Sequence, residues 1–126
     1  MRQLDLTPAA KAFELFPNVV AAWVFGSAKV GAAREGSDLD IGVLFAKRPG
    51  LDELATLRAD LQAALDFEEI DLSILNDASP VLRFEAVSGR GLFCRDVAER
   101  ARFASLAARE YEHAMTMLRR HSTPKA

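Results

Sequence analysis

Residues 26–40 read GSAKVGAAREGSDLD, and the apolar runs on either side restrict what this segment can become. Val19 to Phe25 is almost wholly apolar, too short for an average helix and closed by Gly26, so it reads as a strand buried on both faces. Asp38 to Phe45 has a period of two, which places Asp38 and Asp40 on one face and Leu39, Ile41 and Val43 on the other. A small-residue loop, Gly31 to Gly36, joins the two strands. Glu69 to Leu75 forms a third strand, with Asp71 and Ser73 on one side and Ile70, Leu72 and Ile74 on the other. Three aspartates are thereby offered from one side of a sheet whose other side is core.

Helices fill the rest of the chain. Thr7 caps a first helix starting at Pro8 and carrying apolar residues from Ala9 to Phe16. Leu51, Leu54, Leu57, Leu61 and Leu65 mark one face of a second, after the turn at Pro49-Gly50. Ser79 caps a third, which begins at Pro80 and runs through Leu82, Phe84 and Val87 to Gly89. Gly91 to Cys94 is a small extra strand or a loop, and a long helix from near Asp96 passes through Phe103, Leu106, Tyr111, Met115 and Leu118. The order specifies an α+β domain: a small mixed sheet with helices largely on one face, the carboxylates on the opposite, open face, and a long C-terminal helix.

The 126 residues suffice for one domain, 1–126, and not for two. A net charge of −2 provides no global footprint for nucleic acid. The single Cys94 excludes an internal disulfide and is read as a small hydrophobe; His113 and His121 make neither a zinc site nor a promising base. No apolar stretch reaches spanning length and no export signal is visible at the N-terminus, so the expected location is cytoplasmic.

Magnesium takes hard oxygen ligands and commonly uses one or two carboxylates plus substrate phosphates. Asp38 and Asp40 point the same way about 7 Å apart along a strand, and Asp71 on a neighbouring strand closes the cluster. Such a site polarises phosphoryl oxygens and activates an attacking hydroxyl. At the Gly26-Ser27 turn, glycine lets backbone approach a phosphate while N–H groups and the Ser27 hydroxyl donate to it. Lys29 and Arg34 are candidates for added positive charge there. Ser37 orders the turn before the acids through a side-chain to backbone bond.

The pattern Gly26-Ser27, ten residues, Asp38-x-Asp40, then a distant Asp71 in a strand resembles the polymerase-beta-like nucleotidyltransferase superfamily, and the short chain resembles its minimal nucleotidyltransferase branch. The RFEAVSGRGLFCRD segment and the helix containing AAREYEHA are similar to the antitoxins of that branch that accompany HEPN ribonuclease toxins. The resemblance implies Asp38, Asp40 and Asp71 as catalytic metal-binding acids, Gly26, Ser27, Lys29 and Ser37 at the nucleotide, and Mg2+ or Mn2+ as cofactor. It further implies transfer of AMP from ATP to a tyrosine hydroxyl of the partner HEPN toxin. Many relatives carry an arginine shortly after the serine, where this chain has Lys29-Val30-Gly31, and a lysine does not reproduce a bidentate guanidinium grip on phosphate. An antitoxin that acts by binding alone therefore stands as the alternative, with a small-molecule nucleotidyltransferase third. Self-association is left open by the sequence.

Overall fold

Two seven-residue strands, Val19–Phe25 (β1) and Leu39–Phe45 (β2), form the centre of the structure. A computed structural model describes residues 4–26 and 38–122. Helix α1 (Ala9–Glu14) precedes β1, and α2 (Leu51–Leu65) follows β2. Then come β3 (Ile70–Ile74), a 3-10 turn (Leu75–Asp77), α3 (Pro80–Val87), β4 (Arg90–Cys94) and α4 (Val97–Ser122). The sheet order is β3-β2-β1-β4, with β2 and β3 parallel and the other pairs antiparallel. The segment left open as strand or loop at Gly91 to Cys94 is thus an edge strand. No helix among the described residues is long and apolar enough to cross a membrane.

Helices cover both faces, which corrects the expectation that they lie largely on one. Val24, Leu39, Ile41, Val43, Phe45 and Ile70 point into a core with Ala9, Ala12 and Phe13 of α1 and Leu57, Leu61 and Leu65 of α2. On the opposite face Ala21, Trp23, Phe25 and Leu44 form a second core with Leu75 and Ala86, lined by Leu82 and Phe103. The reason lies in β1. Its seven residues offer apolar side chains to both sides, and a sheet with two apolar faces has to bury both. The aspartates therefore do not lie on an open face; they occupy one end of a face that α3 and α4 partly cover.

Three local expectations are also corrected. Thr7 does not cap α1: Pro8 occupies the cap position without a side-chain bond, and the Thr7 N–H donates to Asp5 Oδ1 (3.0 Å). Leu51, at the first position of α2, is 85% exposed, so the buried stripe is Leu57, Leu61 and Leu65 with Leu54 packed against it. On α4, Ala107 is buried while Leu106 and Leu118 are exposed, because the helix turns the stripe through Phe103, Ala107 and Tyr111 toward α3. Phe84 and Tyr111 stack there with ring centroids 4.2 Å apart. Ser79 behaves as expected, its Oγ accepting from the Leu82 N–H (3.2 Å).

Polar side chains fasten the C-terminal end of β2 and the end of α1. The Asn76 amide accepts from the Phe45 N–H (3.0 Å) and donates to the Phe45 carbonyl (2.7 Å), mimicking one more residue of β3. Asn18 makes the equivalent pair of bonds with Lys47 (2.9 and 2.8 Å). Arg95 donates from Nε to the Val19 carbonyl (2.9 Å) and from Nη2 to the carbonyls of Phe13, Glu14 and Phe16, so a cation sits at the C-terminal end of α1 where orphan carbonyls collect.

Candidate active site

β1 ends at Phe25, and Gly26 turns the chain with φ +70°, a left-handed conformation that favours glycine. The same residue lies against Asp40: a Cβ built on Gly26 would stand 2.8 Å from Asp40 Oδ2. Two independent demands, backbone conformation and space for a carboxylate, thus converge on one glycine. Ser27, Lys29, Arg34 and Ser37, expected around this turn, lie outside the described residues.

Asp40 is half-buried in β2, opposite Phe25 of β1 on one side and Asp71 of β3 on the other. Parallel register places Asp40 and Asp71 side by side on the same sheet face, with Gly42 beside Ser73 one step further along. Asp38 is exposed immediately before β2, and Asp71 is exposed on the edge strand. The three expected acids thus lie toward the same end of the sheet as Gly26. Among the described residues, no group of three or more His, Cys, Asp or Glu is gathered closely enough to hold a metal ion by itself.

The field at this end of the sheet is negative. Burial first, then the charges of Asp71, Asp38 and Glu85, push the Asp40 carboxyl above the usual carboxylate range. Glu85, on α3, was not singled out from the sequence. The helical pattern of VLRFEAV marks it only as an exposed position, and its place beside Asp40 follows from how α3 docks.

That docking depends on Gly42. A Cβ at Gly42 would stand 3.0 Å from Leu75 Cδ2 and 3.1 Å from Ala86 Cβ, so the bare strand backbone admits the 3-10 turn and α3 two residues beyond Asp40. Gly89, after α3, lies against β1, where a Cβ would collide with the Val24 carbonyl and stand 3.0 Å from Phe25 Cβ. Arg83 fastens α3 from behind. Its Nε donates to the Leu75 carbonyl (2.9 Å), its Nη1 pairs with Glu110 of α4 (3.0 Å), and the guanidinium lies over the Phe103 ring.

The histidines stand apart from this arrangement. His113 and His121 are exposed on the distal part of α4, and Cys94 is a half-buried free thiol on β4. Trp23 is core, as its strand predicts.

Comparison with known proteins agrees with the fold. The chain matches the structure of a toxin–antitoxin with AMP-PNP at 28% identity and TM-score 0.76, over 94% of each chain. It matches a toxin–antitoxin MntA-HpeT structure carrying a tyrosine-to-alanine substitution at 29% identity and TM-score 0.76, again over 94% of each. A third match is to a tri-AMPylated Shewanella oneidensis HEPN toxin in complex with MNT antitoxin, at 26% identity and TM-score 0.66, over 90% of this chain and 91% of that one. No protein of curated function matches the sequence. Residues 9–98 match the family model described as Polymerase beta, Nucleotidyltransferase, a span that contains all four strands, Gly26 and the three aspartates. The chain belongs to the polymerase-beta nucleotidyltransferase family.

Proposed function

We propose that this chain is the antitoxin of a HEPN/MNT toxin–antitoxin pair and that it acts as a protein adenylyltransferase, moving AMP from ATP to a tyrosine hydroxyl of its HEPN partner. The observation that carries the reading is the register pair Asp40–Asp71 on one sheet face, with Asp38 beside it and the Gly26 turn against Asp40. The family match and the toxin–antitoxin complexes among the similar structures support the partner assignment.

The donor set fits a hard divalent cation. Carboxylate oxygens are what Mg2+ or Mn2+ takes, and a cation would offset both the burial and the neighbouring charges of Asp71, Asp38 and Glu85 that raise Asp40. Asp38 and Asp40 would hold it with Asp71, substrate phosphates and water completing its shell. When bound, the ion neutralises charge on the phosphoryl oxygens and on the leaving pyrophosphate.

The chain's own residues supply position. The Gly26 backbone permits close approach of the triphosphate, with Ser27, Lys29 and Ser37 as the remaining candidate nucleotide contacts. Asp71, exposed at the edge strand, is placed to align the acceptor hydroxyl and help remove its proton. The tyrosine oxygen bonds to the α-phosphorus, the bond from that phosphorus to the bridging oxygen of pyrophosphate breaks in line, and the hydroxyl proton departs through the carboxylate to water.

Intact-mass spectrometry of the HEPN partner after incubation with this protein, ATP and Mg2+ tests the reading, with the Asp38→Ala/Asp40→Ala double variant as control. Mass gains in AMP steps that the control lacks are expected. A stable complex without mass gain would replace the enzyme by a binding-only antitoxin, the reading that Lys29-Val30 favours. Absence of a complex would return attention to a small-molecule acceptor.

A further inference from the structure

Six exposed residues of α4 fall on one side of the helix: Arg102, Leu106, Arg109, His113, Met117 and Arg120. Steps of three and four residues are the helical repeat, so they form a single row, about 27 Å long at the helical rise. The row faces away from the domain. The opposite side of α4 is the packed one, with Phe103 against Trp23, Tyr111 stacked on Phe84, and Ala107 buried between them. Leu106 and Met117 are left 41% and 38% exposed.

The charge of this helix differs in sign from that of the chain. α4 carries five arginines, three glutamates and no lysine, in a protein of net charge −2. Glu110 is engaged by Arg83, and Glu99 pairs with Arg102 at the start of the row. Glu112 lies on the flank of the row. Among the described residues Arg109 and Arg120 make no ion pair.

These features discriminate between occupants. Two such rows laid antiparallel would set Arg102 against Arg120, and laid parallel would set each arginine against its own copy, so like charges oppose a second chain here. A phosphate backbone would use the arginines alone, leave Leu106 and Met117 in water, and find no aromatic ring in the row on which a base could stack. A protein surface uses both kinds of residue. Arginine and methionine are enriched in protein interfaces and lysine is depleted, and a guanidinium takes a carboxylate through two parallel hydrogen bonds.

We infer that this row of α4 is the surface that docks the toxin partner, through an acidic face of that protein whose carboxylates meet Arg109 and Arg120 and whose apolar side chains cover Leu106 and Met117. The inference rests on the antitoxin reading and adds to it the place where the partner binds.

The experiment measures binding of the HEPN partner to the full chain by calorimetry at low and high salt. Three variants are compared: Arg109→Glu/Arg120→Glu, Leu106→Ser/Met117→Ser, and Arg58→Glu at an exposed position of α2, with circular dichroism to check each fold. Both α4 variants should bind about tenfold or more weakly than the wild type, and wild-type affinity should fall with salt. Arg58→Glu, which changes the net charge without touching the row, should bind as the wild type does. Unchanged binding in either α4 variant, or an equal loss in Arg58→Glu, overturns the inference and leaves the antitoxin reading intact. So does a wild-type dimer that the α4 substitutions dissolve, or binding of a labelled RNA oligonucleotide that they abolish while the toxin still binds. A wild type that forms no complex with the toxin overturns the antitoxin reading as well.

Discussion

Gly26 and Asp40 are in contact across the end of the two central strands, and the space Asp40 Oδ2 occupies is the space a side chain on residue 26 would need. The carboxylate is half-buried, and residue 26 adopts φ +70° beside it.

Gly26→Ala should therefore fail twice. The left-handed backbone costs a non-glycine residue about 1–3 kcal/mol, and the added methyl displaces the Asp40 carboxylate. A lower midpoint in chemical denaturation together with loss of AMP transfer is expected. Full stability with full transfer would show that the turn adapts.

Asp40→Asn should stabilise the metal-free protein at neutral pH. Burial, then Asp71, Asp38 and Glu85, raise the Asp40 carboxyl in the folded state above its unfolded value. The folded chain then binds more protons than the unfolded one between those two values, so the Asp40 contribution to stability is present below the unfolded value and is lost as pH rises through the raised folded one. Thermal melts of wild type and variant in a chelating buffer should diverge as pH climbs from the acid range and stay apart at neutrality. A constant gap at all pH values would refute this.

Gly42→Ala tests how closely α3 sits on the sheet. A methyl 3.0 Å from Leu75 and 3.1 Å from Ala86 overpacks the second core, at a cost of about 1–3 kcal/mol. Since Leu75 and Ala86 must shift, Glu85 moves with them, and AMP transfer should fall even where the variant remains folded. Urea titration and the mass assay read the two effects separately.

Asn76→Ala removes both bonds to the Phe45 backbone and leaves its N–H and carbonyl without those partners. A loss of about 2 kcal/mol is expected, together with faster hydrogen exchange at the Phe45 amide. Asn76→Asp keeps the acceptor for the Phe45 N–H but sets a carboxylate against the Phe45 carbonyl, so it should not restore stability.

Much of this architecture was legible residue by residue. The Val19–Phe25 run read as a doubly buried strand because both of its faces are apolar, and the aspartates fell on one face of their strands because the period of two is local geometry. Ser79 was readable as a cap because capping involves residues three apart. Thr7 misled because Asp5, two residues earlier, already accepts the Thr7 N–H. Leu106 misled because the helical pattern accommodates either Leu106 or Ala107, and only the approach of α3 decides which one is buried.

The sequence by itself determined most of the elements, the glycine turn and the shared side of Asp38 and Asp40, since these depend on backbone periodicity and on conformations only glycine adopts readily, whereas the pairing of Asp71 with Asp40 came from the β2–β3 register. The tertiary structure decided that helices cover both sheet faces, that Asp40 lies against Gly26, and that Glu85 of α3 adds its charge at Asp40. Those relations depend on how closely residues distant in the chain can approach, and Gly42, Ala86 and Gly89 set that approach through atoms they lack, which no local pattern records.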